Sequence, residues 1–473
     1  MASKKIPSAV LGLDIGTTAI KAVEVKYIKG KPVVTGIVSA DLPEGTFDSE
    51  LIVNPEELGK TVKELLASNN IKTKNVVCAL SGQTKVIVRV VEVPKMTKKE
   101  LDDTMKFQVE SNVPFPANEI VKDYEIIENP DADVNDPNYD VLFAAAQQDL
   151  VNSYMAMLKF AGLKIAALDV NTLAVGRAVL ESEKNEEGKT GIIGVVDLGA
   201  SFSSFGVFEN GDLKYPNPPL SVGGNSLTAE VAQILGVEKD EAEESKKQYG
   251  YADAEVFNML LGIAQEAENE EEDFDFNDAF STFEEQTQAV SEAHDDEFGD
   301  LPGLGGGLGD ILGGSVDVAE SEEEAAPAVD NPLDLDAGET EAEPLFDLGD
   351  KPFGNDNDTP FATDDIDPNS LQGKVLTAIA TPLIDLANEI RRSLEYYNTR
   401  YNKDIDKLVL CGGGANLGKI ADFLVGELGV ETEVVKPMAG FAVEIPDLTE
   451  QYINEISPSL TAALGLAVRD MVE

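Results

Sequence analysis

Two aspartates sit in settings so alike that they point to one shared chemistry. Asp14 belongs to LGLDIGTTAIKAVEV (11–25) and Asp197 to GVVDLGASFSSFGVF (194–208). In both, an apolar strand runs into Asp, one apolar residue and Gly (Gly16, Gly199), then small or hydroxyl residues, then a second alternating strand. Such a strand–turn–strand unit presents backbone N–H groups that can face a phosphate, and an Asp at the strand end can hold a hydrated Mg²⁺. Two of them facing one another would clamp a polyphosphate from both sides. An ordinary hairpin turn accounts for either copy alone. The duplication, with equivalent residues 183 positions apart, favours a shared ligand.

A third turn, Cys411-Gly412-Gly413-Gly414-Ala415-Asn416, follows an apolar strand and precedes a helical pattern. Glycines there let the backbone approach a nucleotide closely, and a helix N-terminus favours anionic groups. Close packing alone would also explain three glycines. In AEESKKQ (242–248), Glu243 and Lys246 stand three apart, the spacing of an ordinary solvated helix pair.

The elements that must position these residues form two similar series. Residues 9–15, 19–27 and 33–39 read as a three-strand meander, followed by a helix over 54–70 capped by Asn54 with Pro55 in its first turn. Strands over 75–81 and 85–93, a helix near 97–111, strands near 122–128 and 140–146, and a helix over 147–163 come next. Strand 164–170 and a helix from 171 to 182 lead to the second hairpin. There the order repeats: hairpin 191–208, a turn at Asn210–Gly211, a third strand, and a helix near 224–235. A long helix over 369–400, the strand–turn–helix of 407–428, and a helix over 456–471 capped by Ser457 and Pro458 complete the pattern. A repeated β-β-β-α unit implies two similar lobes.

Composition narrows the classes further. The 473 residues carry a formal charge of −52, but residues 251–370 hold 36 acidic residues against Lys351 alone and supply −35 of it. The stretch 253–368 is rich in Gly, Asp, Glu and Pro, a composition that cannot bury enough apolar surface to offset chain entropy, and it reads as a disordered acidic insertion. Its apolar islands, VFNMLLGIA (256–264) and PLFDLGDKPF (344–353), read as loose residual helix or as partner-docking motifs. No basic patch favours nucleic acid or anionic lipid. Cys78 and Cys411 lie in apolar runs and read as buried reduced thiols, and the sole histidine, His294, lies in the acidic stretch, so a Cys/His metal site is excluded. The N-terminal apolar run ends at Asp14, a first strand rather than a signal peptide, and no run is long enough to span a bilayer. The expectation is a soluble, intracellular protein.

Two Asp-Gly turns, a third glycine turn, and connecting helices over 170–180 and 458–470 together resemble the actin-like and Hsp70-like ATPases. Among these, the chain resembles the PilM family of type IV pilus assembly proteins, relatives of the division protein FtsA. The resemblance rests on ALSGQTKVIVRVVEVPKM and ESNVPFP in the 75–163 region, GGNSLTAEVA (223–232), EIRRSLEYY (389–397) and ISPSLTAALGLAVR (456–469). It implies a two-lobed α/β fold with ribonuclease H-like lobes: a first lobe of 1–74 and 164–182, an inserted FtsA/PilM-type subdomain over 75–163, and a second lobe of 190–252 and 369–473. It implies that Asp14, Gly16, Thr17, Thr18 and Lys21 form the first phosphate turn, and Asp197, Gly199, Ala200 and Ser201 the second. Asp14 and Asp197 would orient Mg²⁺ through its waters, Gly412, Gly413 and Gly414 would lie against the adenosine of ATP, and Glu243 and Lys246 would reach ribose and base. Ser203 and Ser204 stand where the family commonly has threonine, and no residue is identified as a catalytic base.

The resemblance further implies an ATP-binding scaffold with at most slow ATPase activity. It would lie at the cytoplasmic face of the inner membrane and grip the N-terminal tail of a PilN-like membrane protein, beside other pilus motor and platform components. Self-association is left open. The alternatives are an FtsA-like division protein and, on the same fold, a small-molecule kinase. The division family tends to carry a membrane-binding helix after the last core helix, where this sequence reads only RDMVE. A kinase needs a positioned base that the sequence does not display.

Overall fold

The computed structural model describes residues 6–48, 50–127, 137–184, 188, 190–262, 366–446 and 448–472, all within one compact unit. Three strands, β1 (Ala9–Ile15), β2 (Ala19–Ile28) and β3 (Lys31–Asp41), open the chain as an antiparallel meander. Strand β1 is apolar at nearly every position because both its faces are covered. Leu11, Leu13 and Ile15 pack in one core and Val10 in another. A small hairpin, β4 (Phe47–Asp48) and β5 (Leu51–Ile52), leads to α1 (Pro55–Ser68), where the Asn54 side chain accepts from the Glu57 N–H as expected of a cap. Strand β6 (Asn75–Leu80) then lies parallel beside β1.

The chain next leaves this sheet. Strand β7 (Val86–Pro94), α2 (Lys98–Asn112), β8 (Ile120–Ile127) and β9 (Asn138–Gln147) make a separate layer, with strand order β7-β9-β8 and α2 on one face. Val93, Leu101, Met105, Val109, Val141 and Phe143 form its own core. Helix α3 (Gln148–Phe160) and β10 (Lys164–Val170) return to the first sheet. Thus β6 and α3, which the sequence reading grouped with the inserted layer, are built into the first lobe. Val76, Cys78, Leu150, Tyr154 and Met157 pack in the same core as α1.

Helix α4 (Asn171–Glu183) carries the chain to β11 (Ile192–Leu198), β12 (Ser203–Glu209) and β13 (Asp212–Pro216). Helices α5 (Gly224–Leu235), α6 (Lys239–Tyr249) and α7 (254–262) follow. After the undescribed stretch come α8 (Leu371–Tyr401), β14 (Lys407–Cys411), α9 (Ile420–Leu428) and β15 (Thr432–Val434). A short strand, β16 (Ala442–Val443), then pairs with β3, and α10 (Glu450–Ile456) and α11 (Thr461–Ala467) complete the second series. The second sheet runs β13-β12-β11-β14-β15, and the first runs β3-β2-β1-β6-β10 with β16 outside β3. The two orders are the same, and so is the register of the leading hairpins: Asp14 pairs with Lys21, and Asp197 with Ser204.

Two local readings are corrected. The apolar island at 256–264 was expected to be loose chain or a docking motif. Its described part, α7, buries Val256, Phe257 and Leu260 in the core of the second sheet, with the Phe257 ring edge-on to Phe423 at 5.6 Å. Three apolar side chains on one helical face are enough to hold the segment when a ready surface meets them. The rest of that island and 344–353 lie outside the described residues. The continuous helix expected over 456–471 is instead α10, a 3₁₀ turn at Ser457–Leu460, and α11. Ser457 does not cap it but donates to the Asn454 carbonyl, and the Pro458 carbonyl is drawn away to accept from Gly412 N–H at 2.8 Å. Among the described residues no helix is long and apolar enough to cross a membrane.

Candidate functional site

A cleft of about 620 Å³ lies between the two sheets, and all fourteen residues singled out from the sequence line it. The first turn is closed by Gly16 N–H donating to Ala19 O at 2.9 Å, and the second is tied to the start of α5 by Gly224 N–H donating to Gly199 O and Asn225 N–H to Ala200 O. The turns meet directly: Ser201 Oγ donates to Thr17 Oγ1 at 2.8 Å, joining residues 184 apart in sequence.

Asp14 and Asp197 are the next-to-last residues of equivalent strands and are partly exposed at the cleft. Burial raises both carboxyls above the usual carboxylate range; Lys21 opposes this in each, and Asp197 adds to it for Asp14. Asn171, the first residue of α4, donates to Asp197 Oδ2 at 2.7 Å and offsets part of that rise. Two desolvated carboxylates beside an open cleft have much to gain from a cation. Among the described residues no group of three or more His, Cys, Asp or Glu side chains could enclose a metal ion. A pair of carboxylates fits Mg²⁺, which keeps several waters and takes few protein ligands.

The third turn packs directly beneath Asp197. Gly412 has φ +83°, and a Cβ there would lie 2.5 Å from both Asp197 Oδ1 and Leu198 O, so only glycine fits. Gly413 opens toward the cleft with nothing within 4 Å of its Cβ position. The turn continues as a 3₁₀ segment over Gly413–Asn416, and α9 begins only at Ile420, so the helix N-terminus is not itself at the glycines as the sequence suggested. Cys411 behind this turn and Cys78 behind Asp14 are both buried free thiols, pushed up by burial and by the neighbouring carboxylates.

The spacing of Glu243 and Lys246 on α6 suggested a solvated pair, and the structure overturns that reading. Lys246 is buried and donates to Glu243 Oε2 at 2.6 Å, Thr228 Oγ1 at 2.8 Å and Gly224 O at 3.1 Å. Burial lowers the Lys246 ammonium despite its partner, whereas Glu243 is held below the usual range because Lys246 and Thr228 outweigh its own burial. The ammonium thereby joins α6 to the N-terminal turn of α5, to which the second Asp-Gly turn is hydrogen-bonded. Both Ser203 and Ser204 border the cleft, but the Ser203 hydroxyl is spent on the fold, donating to Val222 O at 2.6 Å. Asn171, Asn225 and Thr228 were missed. Asn171 left a trace, a single amide at the junction between an apolar strand and an apolar helix. Asn225 and Thr228 lie in GGNSLTAEVA, which was marked by resemblance alone; nothing in their local spacing showed that one would bond the second turn and the other Lys246.

Two sheets of one strand order, each bearing an Asp-Gly turn on a shared cleft and linked by α4 and α11, define the actin-like ATPase fold class. The chain belongs to the family described as type IV pilus assembly protein PilM, whose profile matches residues 12–277 and 367–471. A solved PilM-PilN type IV pilus biogenesis complex aligns with a TM-score of 0.63 at 23% identity, covering 98% of this chain and 99% of that one. The ethanolamine utilization protein EutJ from Carboxydothermus hydrogenoformans aligns at 0.44 and 13% identity, over 98% of this chain and 90% of that one. The cell division protein FtsA of Bacillus subtilis (strain 168) is 24% identical over 169 residues, 35% of this chain and 36% of FtsA, so the match spans about a third of that relative.

Proposed function

We propose that this chain is a nucleotide-responsive scaffold of the type IV pilus assembly machinery. It binds ATP with Mg²⁺ in the cleft and grips the cytoplasmic N-terminal tail of a PilN-like membrane protein, with an affinity set by the nucleotide. The observation that carries this is the convergence of both phosphate turns and the third glycine turn on one cleft. Family membership supports the pilus role, and the solved complex of a fold relative with PilN supports the choice of partner.

In this reading the amides of Thr17, Thr18, Ala200 and Ser201 receive the phosphates, Gly16 and Gly199 N–H being spent on closing the turns, and Lys21 offers charge to them. Asp14 and Asp197 would hold Mg²⁺, which would supply charge neutralisation at the phosphates. Gly412–Gly414 lie along the adenosine and Glu243 stands at the ribose. Lys246, already committed to three acceptors, orients Glu243 and the second turn rather than touching the ligand. The Ser201–Thr17 bond occupies the gap between the turns and gives way when phosphates enter. Nucleotide then shifts the population of lobe arrangements, which changes affinity for the tail; any hydrolysis is slow. The protein works at the cytoplasmic face of the inner membrane through its partner.

Calorimetric titration of the full chain with Mg²⁺-ATP, with and without a PilN-like N-terminal peptide and beside Asp14→Ala, tests this. The expected result is ATP binding that the variant loses, and peptide affinity that changes with ATP. Absence of ATP binding, or peptide binding indifferent to ATP, overturns the nucleotide-set affinity.

A further inference from the structure

The inserted layer joins the first lobe through two chain crossings, residues 81–85 ahead of β7 and Gln147 at the end of β9. One side chain from outside the layer grips the first crossing. Glu50, in the turn between β4 and β5, accepts at Oε1 from Gln83 N–H at 2.8 Å and Thr84 N–H at 3.0 Å. Its Oε2 accepts from Thr84 N–H, Thr84 Oγ1 and Lys85 N–H, each at 3.1 Å. Three successive amides around one anion form a backbone nest, and bonds to a carboxylate are the stronger kind. A Cβ on Gly82 would lie 2.9 Å from Glu50 Oε2, so the nest is shaped around this carboxylate.

Glu50 itself has φ +69°, a conformation that glycine or asparagine adopts far more readily. A glutamate held there, with its carboxylate fully engaged, is the kind of local strain that accompanies a working contact. The second crossing is tied to the first: Gln147 N–H donates to Lys85 O at 3.0 Å, and Lys85 Nζ donates to Gln147 Oε1 at 2.6 Å and Asp149 Oδ2 at 3.1 Å. The other end of the Glu50 loop is anchored at the first phosphate turn. Leu42 N–H donates to Thr18 O at 2.8 Å, and the buried Thr46 accepts at its carbonyl from Val53 and Asn54 N–H. Glu50, Ser81 and Gly82 also border the cleft.

We propose that Glu50 is a pin that holds the inserted three-stranded layer at one angle to the first lobe, and that the first phosphate turn acts on the layer through it. The second half rests on the nucleotide reading above; the first does not. Hydrogen exchange on the full chain and on Glu50→Gln and Glu50→Gly tests the pin. Glycine tolerates the positive φ, so the second variant keeps its turn even if the first does not. The amides of Gln83, Thr84 and Lys85 are expected to exchange at least about tenfold faster in both variants, while those of β7 and β9 keep their protection. Spin labels at Phe107→Cys on α2 and Lys63→Cys on α1, both exposed while the native cysteines are buried, are expected to give a broader distance distribution in each variant. Unchanged exchange at 83–85, or an unchanged distribution, overturns the pin. A Mg²⁺-bound non-hydrolysable ATP analogue is expected to shift the distance in the native background and not in the Glu50 variants. Calorimetric binding of the analogue without that shift overturns the link. Absence of binding removes the nucleotide reading and the link together, and leaves the pin standing on its exchange result.

Discussion

Helices α4 and α11 run between the lobes, and their closest approach is set by a hydrogen atom. A Cβ on Gly465 would lie 1.8 Å from the Ala174 carbonyl oxygen. An ordinary carbon–oxygen contact is about 3.3 Å, so Gly465→Ala demands a shift of roughly 1.5 Å between the helices. Helix α11 has no room to give, because on its other side the Ala463 carbonyl lies 1.9 Å from a Cβ placed on Gly12 of β1. Overpacking of this kind costs about 1–3 kcal/mol, and here the obstruction is backbone, which places it near the top of that range. The shift also strains the bond from Arg177 Nη1 to Gly465 O, 2.8 Å in the native structure, a charged hydrogen bond of a kind worth about 1.5–3 kcal/mol. Against this stands the gain of about 1 kcal/mol from replacing a helical glycine. The net expectation is a loss of about 2–4 kcal/mol, a large share of a typical stability of about 5–15 kcal/mol. Urea unfolding measures it. Gly426→Ala in α9 is the control, since a Cβ there meets nothing within 4 Å, and it is expected to gain about 0.5–1 kcal/mol. If Gly465→Ala loses less than about 1 kcal/mol, the helices tolerate separation and the reasoning from close approach fails.

Three further outcomes follow from the site and its surroundings. The folded-state carboxyls of Asp14 and Asp197 titrate above their unfolded values, so between those values the native chain binds more protons and its stability falls as pH rises. Asp14→Asn and Asp197→Asn are therefore expected to melt at or above the native temperature at pH 7 and to lose the fall in stability that the native chain shows as pH rises above the ordinary carboxylate value, while Mg²⁺-ATP binding is lost; a melting temperature lowered in both variants would count against the desolvation argument. Lys246→Met removes the donor to three acceptors while Glu243 stays a third exposed, and it is expected to cost about 2–3 kcal/mol, partly recovered by adding Glu243→Gln. Equal losses from the single and double variants in urea titrations would refute that coupling. Phe257→Ala is expected to cost about 3–5 kcal/mol, and a loss under about 1 kcal/mol would mean that α7 is not part of the core.

The parts of the fold written in local chemistry were legible in advance. The β1–β2 and β11–β12 hairpins announced themselves through alternation and Asp-Gly turns, and the Asn54 cap of α1 through its side chain. What failed was decided by distant partners. Helix α7 looked like part of an acidic insertion because composition averages over a window, whereas its place is fixed by Phe423 and its neighbours, about 160 residues on. The break at Ser457–Leu460 depends on Gly412 calling on the Pro458 carbonyl, which no window of sequence contains. The i,i+3 spacing of Glu243 and Lys246 on a polar helix fitted a solvated pair because it says nothing of Thr228 and Gly224 on the helix before it. The strand pairing that unites β6 with β1, and so assigns it to the first lobe, is likewise non-local.

The order in which the chain is made adds a consequence of the β16 and α11 packing. The sheet of the first lobe acquires its last strand from Ala442–Val443 and the cover for one face from α11, which lies against Gly12. On a ribosome, β1 to β10 emerge well before that cover exists. At about 5–20 residues per second, the roughly 300 residues between β10 and α11 take about 15–60 s to appear. Throughout that time Val10, Val23, Val25 and Val77 have Ala174 and Ala178 of α4 beside them but lack Leu460, Ala463, Leu464 and Ala467, which complete their cover. The first lobe to be synthesised is therefore the last that can be finished, and part of its valine face stays open to water until the closing helix arrives.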